Sequence, residues 1–243
     1  MKKNHNHSTL QIFLSFAEDT GSERAIDIQE IFEGVGINII VAKHDVVPGT
    51  QWDDGIESFL DSSDALICLG TPGFSQRAWC QQEVGWALAR RLPIFWISYD
   101  VKELPCGLLA GTQAHTSQPS DSAEDDVQAI AEWCFRLEPL RDPLTQHLIT
   151  SLASSSSFDE SDSIVSLLAQ ASSLEKQNWE RIISIAANNE QFGRAHRYVH
   201  HGWGWQSQPL LVDWLKEQID GKPEHVRKPK RKSNTMKGPP RVK

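Results

Sequence analysis

Cysteine, methionine and tyrosine are all scarce in this chain: four, two and two among 243 residues. Cys68, Cys80, Cys106 and Cys134 form no CxxC pair, so neither a zinc ribbon nor a dense disulfide framework is available. Three of the four fall in predicted strands or helices and read as reduced core thiols, which points to the cytoplasm. No stretch approaches the ~18 apolar residues of a membrane span. The start, Met1-Lys-Lys-Asn-His-Asn-His7, has no apolar run of a secretion signal. No Ser-His-Asp or Cys-His arrangement is legible. Gly34-Val-Gly36 follows a predicted helix rather than opening one, so it is not a dinucleotide fingerprint.

Positive charge is outnumbered in the body. Residues 221–243 hold nine Lys/Arg against one acid, Glu224, a local +8; the total of −8 leaves −16 on residues 1–220. An acidic globule argues against a nucleic-acid-binding body. The polar, Pro-rich, basic tail is expected to be disordered. Its Arg227-Lys-Pro-Lys-Arg-Lys232 run suits either solubilisation or contact with nucleic acid, an anionic membrane or the acidic body of another copy.

What is present is an alternation of strands and helices over residues 10–137. Leu10–Phe16 is a short apolar run, the mark of a strand covered on both faces. A helix over 22–33, with Ser22 as cap and Ala25, Ile28, Ile31 and Phe32 on its apolar side, is closed by Gly34 and Gly36. Strand 37–41 enters the loop 42–51, where Pro48-Gly49 signals a turn. Helix 52–61, strand 65–69, loop 70–77, helix 78–91 and strand 94–98 follow. An irregular stretch over 100–111, a short edge strand near 112–116 and helix 124–137 complete the unit. Such alternation implies right-handed crossovers and a parallel sheet, here about five strands in a flavodoxin-like order.

Residues 138–157, with two prolines and Ser151-Leu-Ala-Ser-Ser-Ser-Ser157, read as a linker. Beyond it, helical signals at 164–170, 175–188 and 210–219 suggest a small helical module over 158–220, with residues 1–8 disordered. His196, His200 and His201 are spaced as metal ligands could be. Without Cys or acidic ligands beside them a solvated helix face is the better reading, and no metal is expected. Trp203 and Trp205 are read as anchors of a small core.

The densest signal is Ser75-Gln-Arg-Ala-Trp79-Cys-Gln-Gln-Glu83-Val-Gly85. Residues four apart share a helix face, so Trp79 and Glu83 point the same way, while Cys80, Val84, Ala87 and Leu88 form the stripe that meets the sheet. A lone glutamate is usually a solvated helix residue. At the start of a helix beside an aromatic plate it suits a flat, cationic, sugar-linked ligand.

With Ile12-Phe-Leu-Ser-Phe16 and Glu18-Asp19, Asp45-Val-Val-Pro48-Gly49-Thr-Gln-Trp52, the run from Ile56 through Ser62 and Asp64, Trp79-Cys80, Glu83 and Leu92-Pro-Ile-Phe-Trp96, residues 9–137 resemble a Toll/interleukin-1 receptor (TIR) domain of the bacterial type. The family holds both signalling scaffolds and NAD+-cleaving enzymes. The resemblance implies that Glu83 is catalytic, with Trp79 as the aromatic beside the substrate and Ser75 near it; a packed surface aromatic explains Trp79 equally well. Ser15, Phe16 and Ala17, at the end of strand one, are candidates for the floor of the substrate pocket, and core packing explains Phe16 equally well. The resemblance also makes Asp45, Pro48, Gly49 and Trp52 part of an assembly loop. NAD+ is then the substrate, with no resident cofactor. The rim of the site is expected from Phe16–Asp19, Ala42–Trp52 and Gly70–Trp79. The implied setting is an immune, anti-phage protein of the cytoplasm that self-associates through its TIR domain, with an unknown trigger or partner at the C-terminal module. Two other expectations stay open: a non-enzymatic TIR scaffold in which Glu83 is incidental, and a nucleoside-processing enzyme on the same fold.

Overall fold

The computed structural model describes residues 10–41, 54–118, 120–201 and 204–221. Five strands run parallel: β1 (Gln11–Phe16), β2 (Asn38–Val41), β3 (Ala65–Gly70), β4 (Ile94–Ser98) and β5 (His115–Thr116), in the spatial order β2-β1-β3-β4-β5. Helices α1 (Glu18–Gly34), α2 (Asp54–Ser62), α3 (Ala78–Arg90) and α4 (Ala123–Arg136) connect or cover them. The chain leaves β1 for one edge and returns past it to β3, so the strand order reverses between β1 and β3.

Period-two alternation sends the strand residues to two different cores. Ile12, Leu14 and Phe16 of β1 join Ile28 and Phe32 of α1 and Val127 and Ile130 of α4. Phe13, one residue out of phase, joins Leu66, Cys68, Cys80, Val84 and Ala87 on the α3 side. This parity places Ser15 on the α3 side as well.

The strands lie where the apolar runs put them. Helix α1 starts earlier than Ser22: it opens at Glu18, with Ala17 as a cap that makes no side-chain bond. Ser22 instead donates its hydroxyl to the Glu18 carbonyl. Gly36 takes a left-handed φ of 80° after the helix, and a Cβ there would stand 2.7 Å from Ser151 Oγ.

Ser151 belongs to a helix. Residues 138–157 are no linker, because α5 (Glu138–Ser154) fills most of that segment. Pro139 sits in the first turn, where an amide proton would have no helical partner anyway, and Pro143 is tolerated inside. Leu140, Leu144, Leu148, Ile149 and Leu152 are fully buried and belong to the same core as α1 and α4. The serines are caps and struts: Ser157 caps α6 (Phe158–Leu168), and Ser155 and Ser161 share a hydrogen bond of 2.8 Å.

Residues 158–220 extend the same core through α6, α7 (Lys176–Asn188), the single turn α8 (Glu190–Gly193) and α9 (Leu211–Asp220). They are not wholly helical. His196–His201 form strand β6, paired antiparallel with β7 (Gly204–Leu210), so the histidines lie on a strand rather than a helix face. Trp205 lies on β7; Trp203 and the terminal segments 1–9 and 222–243 fall outside the described residues. Cys68, Cys80 and Cys134 are buried, but Cys106 is exposed, so it is not a core thiol. Among the described residues no helix is long and apolar enough to cross a membrane.

Under the α1–α4 face, Asp126 has no exposed surface, accepts from Tyr99 Oη at 2.5 Å and lies 3.6 Å from Arg24. Burial raises its carboxyl above the ordinary 3.8, against the opposing pull of the Tyr99 and Ser117 hydroxyls and Arg24. Burial, followed by the Asp126 carboxyl, raises the Tyr99 phenol in turn.

Two outcomes follow from this core. Leu148→Ala should cost about 2–5 kcal/mol, and urea unfolding followed by tryptophan fluorescence should remain a single transition. Two transitions would mean that the C-terminal helices fold apart. For Asp126, a folded pKa above the unfolded one gives stability that is full below about 3.8 and lost as pH rises through the folded value. The stability of Asp126→Asn relative to wild type should therefore shift in the variant's favour from pH 3 to 7, by about 1.4 kcal/mol for each pH unit of elevation. A flat difference would reject the assignment.

Candidate functional site

The crevice between the carboxyl ends of β1 and β3 is where an open α/β sheet can receive a ligand. Ser15 stands opposite Cys68 in the sheet register, one step from the end of β1. On the other side, β3 ends at Gly70, the chain makes a 3-10 turn over Phe74–Gln76, and α3 begins. Cys80, Val84 and Ala87 press this helix on the sheet, as the apolar spacing predicts. The same face carries Glu83.

Glu83 is fully buried, and Ser15 Oγ donates to its Oε2 at 2.5 Å. The two residues are 68 apart in sequence and meet because the strand order makes β1 and β3 neighbours. Beside them, the Cys80 thiol donates to the Phe16 carbonyl at 3.3 Å. Burial above all, and then the Glu83 carboxylate, pushes the Cys80 thiol up to about 12; the same two causes, with Cys80 itself, raise Cys68 well above its usual value. Both thiols stay protonated near neutral pH, so neither supplies a nucleophile.

The carboxylate is sealed from solvent, and this corrects the expectation of a side chain lifted off the core. The first turn of α1 is fastened to the β3–α3 segment. Thr20 Oγ1 stands 2.9 Å from Thr71 Oγ1 and 3.0 Å from the Pro72 carbonyl. Asp19 pairs with Arg77, the residue that caps α3. Gly21 leaves room for this approach, since a Cβ there would stand 3.1 Å from Phe16 Cβ and 3.2 Å from Thr71 Oγ1.

Of the residues singled out from sequence, Ser15 and Glu83 are in direct contact. Phe16 and Ala17 are buried next to them, as the end of β1 and the cap of α1. Phe16 takes part through its carbonyl; its ring belongs to the opposite core. Trp79 is half-buried one turn before Glu83 on α3, and Ser75 is half-buried in the 3-10 turn. Asp45, Pro48, Gly49 and Trp52 lie outside the described residues. Sequence reasoning missed Thr20, Thr71, Arg77 and Glu103. The last, 5% exposed, accepts the Gly73 and Ser75 amides at 2.8 and 2.9 Å. Among the described residues no group of His, Cys, Asp or Glu has metal-site geometry.

The arrangement offers a carboxylate, a hydroxyl donor and an aromatic one turn away, with the polar contacts of the α1 turn beside them. A double-mutant cycle on Ser15→Ala and Glu83→Gln should give a coupling of about 1.5–3 kcal/mol in unfolding free energy, the size of a hydrogen bond to a charged group. A coupling near zero would mean that the contact contributes nothing.

A sequence model of the TIR domain family matches residues 12–133, half of the chain. No curated protein matches it. Among solved structures, the TIR domain of the Toll-related receptor TRR-2 from Hydra magnipapillata is similar at 22% identity, with 43% of this chain and 82% of that one covered and a TM-score of 0.37. The TIR domains of the activated Roq1 resistosome, which recognises the pathogen effector XopQ, are similar at 12% identity, covering 74% of this chain and 99% of that one with a TM-score of 0.34.

Proposed function

The chain belongs to the TIR domain family, and from that membership we propose that it is an NAD+ glycohydrolase activated by self-assembly. The observation that carries the reading is the Ser15–Glu83 pair, a buried carboxylate held at the strand-order switch by the end of β1. In this reaction the bond between nicotinamide and ribose breaks, and its electron pair stays on the pyridine nitrogen. Nicotinamide thereby leaves neutral and needs no general acid. Positive charge develops at the ribose anomeric carbon, as in glycoside cleavage. Glu83 stabilises that cation or traps it, and holds ribose hydroxyls beforehand. Water then gives ADP-ribose and a proton, or the adenine ring closes a cyclic isomer. Trp79, one turn before Glu83, offers its π face to the pyridinium, worth about 0.5–2 kcal/mol.

On this reading the described conformation, in which Glu83 has no exposure, is the resting one. Substrate enters when the α1 turn parts from the β3–α3 segment. Assembly through the TIR domain supplies that opening, with the loop 42–51 as its contact element, and a head-to-tail contact repeats into filaments. The C-terminal helices, sharing a core with α1, are where a trigger or partner acts. Defence by NAD+ depletion in the cytoplasm is the setting that agrees with this chemistry.

The same burial favours a second reading, a scaffold in which Glu83 merely ties α3 to β1. The readings part on one assay: concentrated protein with NAD+, nicotinamide release followed for wild type and Glu83→Gln. The expected result is release by wild type and a loss of roughly 100-fold or more in the variant, the scale of removing a preorganised charge-stabilising group. Release that survives the substitution removes Glu83 from the mechanism. No release in any assembled state establishes the scaffold.

A further inference from the structure

The segment after β4 carries a second buried carboxylate that the proposed chemistry does not use. Glu103 lies in the irregular stretch over 100–111, beyond β4, and is 5% exposed. Its Oε1 accepts the Gly73 amide at 2.8 Å and its Oε2 the Ser75 amide at 2.9 Å. Two amides two residues apart, presented to one anion, form the concave donor pair that backbone turns offer to negative groups. The residue's main chain is fixed too. Its carbonyl accepts from Trp96 Nε1 at 3.0 Å, and its amide donates to the Asp100 carbonyl at 2.9 Å. Trp96 meets Phe74, the buried residue between the two amides, edge to face at 5.0 Å.

Gly70 shows how tight this arrangement is. A Cβ at that position would stand 2.7 Å from the Glu103 carbonyl oxygen and 2.6 Å from Trp96 Nε1. The last residue of β3 is therefore a glycine where the clamp crosses it. Within the loop, the turn bonds from Phe74 to Thr71 and from Gln76 to Gly73 use other amides. The Gly73 and Ser75 amides donate to the Glu103 carboxylate, and the loop it grips runs directly into Arg77, Trp79 and Glu83.

We propose that Glu103 is a positioning residue: its two oxygens set the β3–α3 wall at the spacing that seats the nicotinamide end of the dinucleotide against Trp79 and Glu83. This rests on the glycohydrolase reading above. Burying a carboxylate opposes folding unless hydrogen bonds replace its water, and both oxygens here are matched by an amide. Gln in its place offers one acceptor and turns a second donor toward an N–H. Asp keeps two acceptors but falls one methylene short. Substrate binding should respond more than the chemical step, because Glu103 touches neither the ribose nor the leaving group.

The test uses the full chain as wild type, Glu103→Gln and Glu103→Asp, with Leu148→Ala as a destabilised control remote from the crevice. Nicotinamide release from NAD+ is measured at a temperature where all four are folded, and amide exchange is followed at Gly73 and Ser75. Glu103→Gln should raise KM about tenfold, the effect of one lost charge-assisted hydrogen bond, with kcat changed less and exchange faster at both amides. Glu103→Asp should fall between Gln and wild type, and Leu148→Ala should leave KM unchanged. An unchanged KM in Glu103→Gln while wild type turns over would overturn the Glu103 assignment alone, as would an equal change in Leu148→Ala. A wild type silent toward NAD+ in every assembled state would overturn the glycohydrolase reading, and the role of Glu103 with it.

Discussion

Glu83 is a carboxylate without solvent on a helix whose neighbours Cys80, Val84 and Ala87 face the sheet. Such a group needs a donor inside the protein, and Ser15 supplies it from β1. The contact depends on register. β1 alternates its residues between two cores, so Ser15 reaches α3 only while Leu14 and Phe16 face α1. A slip of one residue would set Leu14 or Phe16 against the carboxylate and expose the serine to an apolar layer. The parallel pairing of β1 with β3 and the apolar stripe of α3 are thus constrained by the same pair of atoms. This is why a serine is tolerated among the buried apolar residues of β1.

Beside that pair, the first turn of α1 is joined to the β3–α3 segment by a few small contacts. Ion pairs of this kind, between half-exposed partners such as Asp19 and Arg77, contribute about 0–1 kcal/mol. The Thr20–Thr71 contact adds a modest bond of its own. This junction is therefore weak compared with the core, and a partner binding at the crevice has little to displace. The α1 helix that carries Asp19 and Thr20 is itself gripped at its far end. Ile31 and Val35 line a cavity of about 240 Å3 with Glu124 and Val127 of α4, Asp162 and Ser166 of α6, and Arg197. Arg197 bonds Asp162 and Ser166 and lies over Trp214. One helix thus joins the mouth of the crevice to the C-terminal layer.

The sheet was legible because a strand buried on both faces is written as an apolar run, and Ile94–Ser98 lies where that run lies. The start of α1 was not, since Ala17 caps it without a side-chain bond and Ser22 mimics a cap four residues late. The segment 138–157 misled for a related reason. Proline and serine mark breaks in most chains, yet here Pro139 occupies the turn that tolerates it and the serines cap helices, while Leu140, Leu144 and Leu148 carry the helical spacing between them. The histidines at 196, 200 and 201 fit a helical repeat by accident; the pairing of β6 with β7 decides their conformation. Trp79 and Glu83 share a helix face as the four-residue spacing requires. That one is half-buried and the other sealed depends on Ser15 and the α1 turn, which only the fold brings near. Glu103 left no trace, because its partners are backbone amides and every residue has those.

The burial of Glu83 accommodates both a scaffold and an enzyme, and the chemistry of its partner bears on the choice. Ser15 presents an O–H to the carboxylate. On the glycohydrolase reading a ribose also presents O–H groups, so substrate replaces like with like, and the carboxylate passes from one hydroxyl donor to another without entering water. A group already desolvated and oriented needs little reorganisation when positive charge develops beside it, and that is where electrostatic catalysis gains most. A purely structural tie has no use for this exchangeability; a neutral amide in place of the carboxylate would keep a weaker bond to Ser15 and leave no ion to desolvate. The acid is thus the costlier choice for a scaffold and the fitting one for a site that meets a cation.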